Sequence, residues 1–177
     1  FSIERIICSG LPRTLQTAEH IASRREITIE CFPLLKEYEW DPDLLKDTKI
    51  ERFGYLFEDS LAKEMIGGTE DADEFYRRIT CQLETIVKED WSEMAAFLHG
   101  AVNAAIMCWV NDVDISFASK YDQDHAALNI IDIDVNEKGK IVRKILKRYN
   151  IPPNLSTISS DMRSSWENTA SKIANLK

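Results

Sequence analysis

Three side chains with the chemistry to handle an anion each stand where a strand-like run gives out. Residues 8–18 read Cys8-Ser9-Gly10-Leu11-Pro12-Arg13-Thr14-Leu15-Gln16-Thr17-Ala18. Arg13 falls in the first turn of a helix that follows an apolar run. In an open α/β sheet, ligands bind at the carboxyl ends of the strands. A helix N-terminus there offers free N–H groups and partial positive charge. A guanidinium beside it can grip a phosphate through two parallel hydrogen bonds. The everyday alternative is a surface Arg paired with a nearby acid.

Residues 97–102 read Phe97-Leu98-His99-Gly100-Ala101-Val102. His99 ends a strand, and Gly100 permits a tight strand-to-helix turn. An imidazole there can donate to an anion, joined by the N–H of Ala101. The alternative is a His that caps a strand with a satisfied hydrogen bond. Residues 34–40 read Leu34-Leu35-Lys36-Glu37-Tyr38-Glu39-Trp40. A carboxyl partly desolvated among Leu35, Tyr38 and Trp40 has a raised pKa, which suits a general acid near neutral pH. The alternative for Glu37 is a solvated loop carboxylate.

Singly these signals are weak; in combination they resemble the histidine phosphatase superfamily, which includes the cofactor-dependent phosphoglycerate mutases. Residues 9–18 are similar to that family's S-x-L-x-R-[AT]-x-Q-T-A stretch, the most specific match. Leu35-Lys36-Glu37 resembles its L-x-E acid motif. Gly67-Gly68-Thr69-Glu70 resembles G-G-E-[ST] with the last two types exchanged, and residues 99–103 resemble the second-histidine turn H-G-G-x-[IRN]. The last part of the chain agrees only in strand pattern.

The resemblance implies roles. Arg13 would bind the transferring phosphoryl group, helped by the backbone N–H of Ala101. Glu37 would protonate the leaving oxygen and later activate water. His99 would donate to phosphoryl oxygens as charge develops. Hydrolysis in this family needs no metal and no organic cofactor. The activity implied is hydrolysis of phosphate monoesters through a phosphohistidine. Two alternatives stay open: mutase-type phosphoryl transfer, and an inactive member that binds phosphate or a protein. A mutase must hold a second anionic group, whereas residues 40–66 carry more Asp and Glu than Lys and Arg, which favours a phosphatase.

One departure matters. The family's nucleophile is a histidine in an Arg-His-Gly motif on its first strand, and none of the three histidines here stands in that context. His20 reads as a surface position on a helix, and His125 follows two nearby acids. Phe1 opens where the family's second strand would begin, so the resemblance implies a preceding segment that carries the central strand and the nucleophile.

The positioning elements follow from periodicity. Residues 3–8 form a buried strand. Pro12 opens a helix to about residue 23, with Leu15, Ala18, Ile21 and Ala22 on one face. Residues 27–32 alternate as a second strand. Residues 33–68, with two prolines and three glycines, read as an irregular insert with a short helix at 60–65. Thr69 is expected to cap a helix with acids in its first turn and a Phe75, Ile79, Leu83, Ile86 stripe. A strand at 94–98, an apolar helix at 102–110, a hairpin of 128–135 with 140–149 turning at 136–139, and a helix at 160–176 complete the chain. Strands alternating with helices predict an α/β fold: one domain over residues 1–177, a three-layer α/β/α sandwich with a mostly parallel central sheet.

The formal net charge of −8 on 177 residues disfavours nucleic acid and anionic membrane as partners. A phosphorylated small molecule or phosphoprotein is expected, and a homo-oligomer is compatible with the sequence. Four cysteines without CxxC spacing speak against a metal knuckle and for a reducing cytoplasm. Cys8, Cys31 and Cys108 read as small core residues.

Overall fold

The computed structural model describes residues 1–39 and 70–153. A three-stranded parallel sheet lies at its centre, in the order β2-β1-β3. The strands are β1 (Arg5–Cys8), β2 (Ile29–Cys31) and β3 (Met94–Phe97). Ile6 and Ile7 explain why β1 is central. Successive strand residues point to opposite faces, and both are fully buried. Ile6 packs with Ala18 and Ala22 of helix α1 (Pro12–Arg25). Ile7 joins a larger cluster on the other face, with Phe75, Ile79, Leu83 and Ile86 of α2 (Ala72–Ile86) and most of α3 (Gly100–Val110). Helices thus cover both faces, and three layers result.

Local sequence sets each helix. Pro12 opens α1, and Thr14, Ala18 and Ala22 form its buried stripe at four-residue spacing. The helix ends at Glu26, whose φ is 55° and whose N–H donates to the Ala22 carbonyl. Helix α2 begins later than expected. Its cap is Asp71, not Thr69, because the Asp71 carboxylate accepts from the N–H groups of Asp73 at 2.8 Å and Glu74 at 3.3 Å. Glu70 is thereby left outside the helix, where it pairs with Arg78. Asp71→Ala should cost about 1 kcal/mol, measured as a lower urea midpoint with an unchanged m-value. All four residues of the expected α2 stripe are buried.

Helix α3 is buried on nearly all sides, as its apolar run requires. A hairpin covers its far end: β4 (Leu128–Val135) pairs antiparallel with β5 (Ile141–Ile151). Ile131, Ile133, Ile141, Leu146 and Tyr149 of the hairpin pack against the main cluster. The turn at 136–139 forms as expected, with Gly139 at φ 73° and the Asn136 side chain accepting from the N–H groups of Lys138 and Lys140. Lys144 ties β5 to α3. Its ammonium donates to the Trp109 carbonyl and the Asp112 carboxylate and lies 4.8 Å from the Trp109 ring centre. Among the described residues, β3 is paired on one side only, and the hairpin is a separate sheet.

Three further expectations change. The strands at 3–8 and 27–32 are shorter, four and three residues. The helix expected from 102 starts at Gly100. Cys31 is exposed and not a core residue, because β2 has a strand neighbour on one side only among the described residues; its sulfur lies 3.6 Å from that of buried Cys8, its register partner. The helices expected at 60–65 and 160–176, with all but the first few residues of the insert, lie outside the described residues. No helix among the described residues is long and apolar enough to cross a membrane.

Candidate functional site

Parallel pairing brings the ends of β1 and β3 side by side, Cys8 opposite Phe97. The loops that follow therefore open next to one another. Arg13, one turn into α1, and His99, which caps α3, meet there. The Arg13 Nε–H donates to His99 Nδ1 at 3.1 Å. An Arg Nε can only donate, so Nδ1 carries the lone pair. On the other side of the ring, Nε2 lies 2.7 Å from Ser9 Oγ, which lies 2.9 Å from Thr14 Oγ1. Ser9, Thr14 and His99 are all buried. Arg13 is exposed and makes no ion pair among the described residues, so its Nη edge is available to a ligand.

Burial pushes the His99 pKa down to about 4, and the positive charges of Arg13 and Arg78 add to the effect. His99 is therefore a neutral imidazole near pH 7. A stability consequence follows. The unfolded chain protonates its histidine near 6.5, and the folded state resists until about 4. Above 6.5 both states are neutral. As pH falls from 6.5 to 4, only the unfolded state takes the proton, and stability is lost, by at most about 3 kcal/mol. Urea midpoints measured from pH 7 to 4 should fall more steeply for the native chain than for His99→Gln.

Glu37 arrives from a different direction. A single 3₁₀ turn, Pro33–Leu35, ends β2 and buries Leu35 completely. The chain then extends past the N-terminus of α3. Burial raises the Glu37 pKa. The Tyr38 N–H, which donates to Glu37 Oε1 at 3.2 Å, opposes that rise, as do Arg13 and the backbone N–H groups of Ala101 and Val102. The carboxyl thus shares its surroundings with the same guanidinium that bonds His99. The side chain of His99, the residue at the N-cap of α3, accepts none of the helix's first N–H groups, which leaves them to act on Glu37.

Arg78 of α2 holds this loop, and the sequence reading overlooked it. Its guanidinium donates to the carbonyls of Leu34, Lys36 (2.9 Å) and Glu37 (3.3 Å), and to both carboxylate oxygens of Glu70. It lies 4.8 Å from the Phe75 ring centre, and Phe75 meets Tyr38 edge-on at 5.1 Å. A signal was there: Arg78 stands three residues after Phe75, beside Ile79, on the face the apolar stripe marks as buried.

All four residues singled out in the sequence, Arg13, Glu37, His99 and Ala101, therefore gather at one end of the sheet. His20 and His125 are exposed. The family model for the histidine phosphatase superfamily (branch 1) matches residues 1–145. The chain belongs to the histidine phosphatase superfamily. No curated protein matches it. Among solved structures, the fold of this histidine phosphatase chain is shared with the alpha-ribazole phosphatase of Shigella flexneri, at 16% identity and a TM-score of 0.63, over 86% of this chain and 77% of that one. A mycobacterial glucosyl-3-phosphoglycerate phosphatase superposes at 17% identity and 0.63, over 84% and 78%. A second mycobacterial protein, described as hydrolase 2, does so at 15% and 0.69, over 98% and 77%.

Proposed function

We propose that this member of the histidine phosphatase superfamily is a phosphatase for phosphate monoesters of small molecules, working through a phosphohistidine. The observation that carries the reading is the Arg13 guanidinium. It is aimed by His99, free of any ion pair among the described residues, and shares its surroundings with a carboxyl of raised pKa. In the proposal, the Arg13 Nη edge takes two oxygens of the phosphoryl group. The N–H of Ala101, at the start of α3, adds its partial positive charge once Glu37 turns to the leaving group. Glu37 in its protonated form gives a proton to the leaving oxygen, and as carboxylate it later takes one from water. His99 Nδ1 accepts from Arg13; the charge of an arriving phosphoryl group raises the basicity of the ring, so that Nδ1 takes a proton from water, gives up the Arg13 bond and donates to a phosphoryl oxygen. Such preorganised groups stabilise charge that develops in the transition state.

The covalent step splits one displacement into two. Its nucleophile would be a histidine of the Arg-His-Gly kind that the family resemblance implies, because His20 and His125 are exposed residues without that motif and His99 is engaged on both nitrogens. The same observation favours a second reading, a member that binds phosphate without turning it over. Similarity to an alpha-ribazole phosphatase and a glucosyl-3-phosphoglycerate phosphatase supports the hydrolytic reading. The test is hydrolysis of p-nitrophenyl phosphate by the intact protein, with and without vanadate. Turnover that vanadate abolishes is expected. A folded, intact protein that binds inorganic phosphate and shows no turnover sinks the hydrolytic reading in favour of the second.

A further inference from the structure

The hydrogen bonds behind His99 run in one direction, and both ends fix that direction independently. At the front, Arg13 Nε can only donate, so His99 Nδ1 accepts and the neutral ring keeps its proton on Nε2. At the back, the Leu11 carbonyl can only accept, so the Thr14 hydroxyl donates to it, at 2.8 Å. Thr14 Oγ1 then accepts from Ser9, at 2.9 Å. Ser9 Oγ has spent its one proton and must accept from His99 Nε2, at 2.7 Å. The Leu11 N–H also points at Ser9 Oγ, 3.4 Å away. Every buried polar atom of the chain is satisfied in this sense, and reversing any one bond would leave two lone pairs or two protons facing each other.

We propose that Ser9 and Thr14 are positioning residues of the phosphoryl site: their hydroxyls hold His99 as the Nε2–H tautomer and turn its Nδ1 toward Arg13 and the bound anion. The proposal rests on the phosphate-handling reading for its purpose, but not for its geometry. A neutral imidazole exposed to water divides its proton between the two nitrogens. Here the acceptor at Nε2 is built into the end of β1 and the first turn of α1, the same segment that carries Arg13. One short stretch of chain therefore sets the guanidinium and, through two hydroxyls, the face of the imidazole that meets it. The depressed basicity of the buried ring agrees with a neutral form locked from both sides.

The experiment is nitrogen NMR of the His99 ring in the full chain at neutral pH, without and then with inorganic phosphate. The native chain should show one protonated nitrogen, Nε2, and one unprotonated nitrogen, Nδ1, before phosphate is added. In Ser9→Ala and in Thr14→Val the two nitrogens should move toward averaged shifts as the other tautomer appears, and phosphate should bind roughly five- to tenfold more weakly, the equivalent of one neutral hydrogen bond. Thr14→Ser keeps the hydroxyl and should restore both readouts, which a packing role for the Thr14 methyl would not predict. If Ser9→Ala proves unstable, the Thr14→Val and Thr14→Ser pair decides alone. Native shifts in folded Thr14→Val, or an Nδ1–H tautomer in the native chain, overturn the proposal. Tautomer loss in the variants of a chain that binds no phosphate upholds the positioning role and refutes the phosphate reading instead.

Discussion

Replacing Arg13 with alanine should lower the affinity for inorganic phosphate by about a hundredfold or more while leaving the fold in place. The guanidinium offers two charge-assisted bonds to one anion, each contributing about 1.5–3 kcal/mol. Its loss also removes the positive charge that draws Glu37 toward ionisation. The side chain is exposed and makes no ion pair among the described residues, so thermal stability should change little. Arg13→Lys keeps the charge but not the fork, and should recover only part of the affinity. Isothermal titration with phosphate beside a melting curve separates the two effects. An alanine variant that binds phosphate as the native chain does removes Arg13 from the site.

The second large effect is expected at Arg78. Its side chain and that of Glu70 are 13% and 15% exposed, and its guanidinium also satisfies three loop carbonyls. Arg78→Met would leave a largely buried carboxylate and those carbonyls without their donor. Breaking one side of such a pair costs about 3–5 kcal/mol, a drop of roughly 10 °C in Tm for a chain of this size. The loop would also lose what holds Glu37 against α3. Double replacement, Arg78→Met with Glu70→Gln, should recover part of the stability but none of the placement of Glu37. If the single variant melts within a degree or two of the native chain, the clamp does not work as described.

The sheet and helices were legible because their signals are local. Paired Ile6 and Ile7 marked a strand buried on both faces, and Phe75, Ile79, Leu83 and Ile86 marked one face of α2. The site was legible only through several motifs at once, since Arg13, Glu37 and His99 are brought together by strand pairing that no single segment encodes. What was missed was a matter of partners. The cap is Asp71, whose carboxylate accepts two backbone N–H groups, and Glu70 just before it pairs with Arg78, a residue eight positions on. Thr14 is buried against Ser9, a contact across the strand-to-helix turn that helical spacing does not reveal. Among the described residues Cys31 sits on a strand with a neighbour on one side only, so alternation alone misjudged its burial. Arg78 stands beside an apolar stripe and reaches carbonyls distant in sequence, which no local pattern encodes.

Arg78 holds the Glu37 loop by its carbonyl oxygens, and a carbonyl is the same whatever side chain follows it. Leu34 is half-exposed and Lys36 pairs with Glu39 on the surface, so both positions are free to drift without loosening the acid they flank. In a saturation scan of this stretch, tolerance should be high at residues 34 and 36, low at Leu35 and Glu37, and lowest of all at position 78, far along the chain.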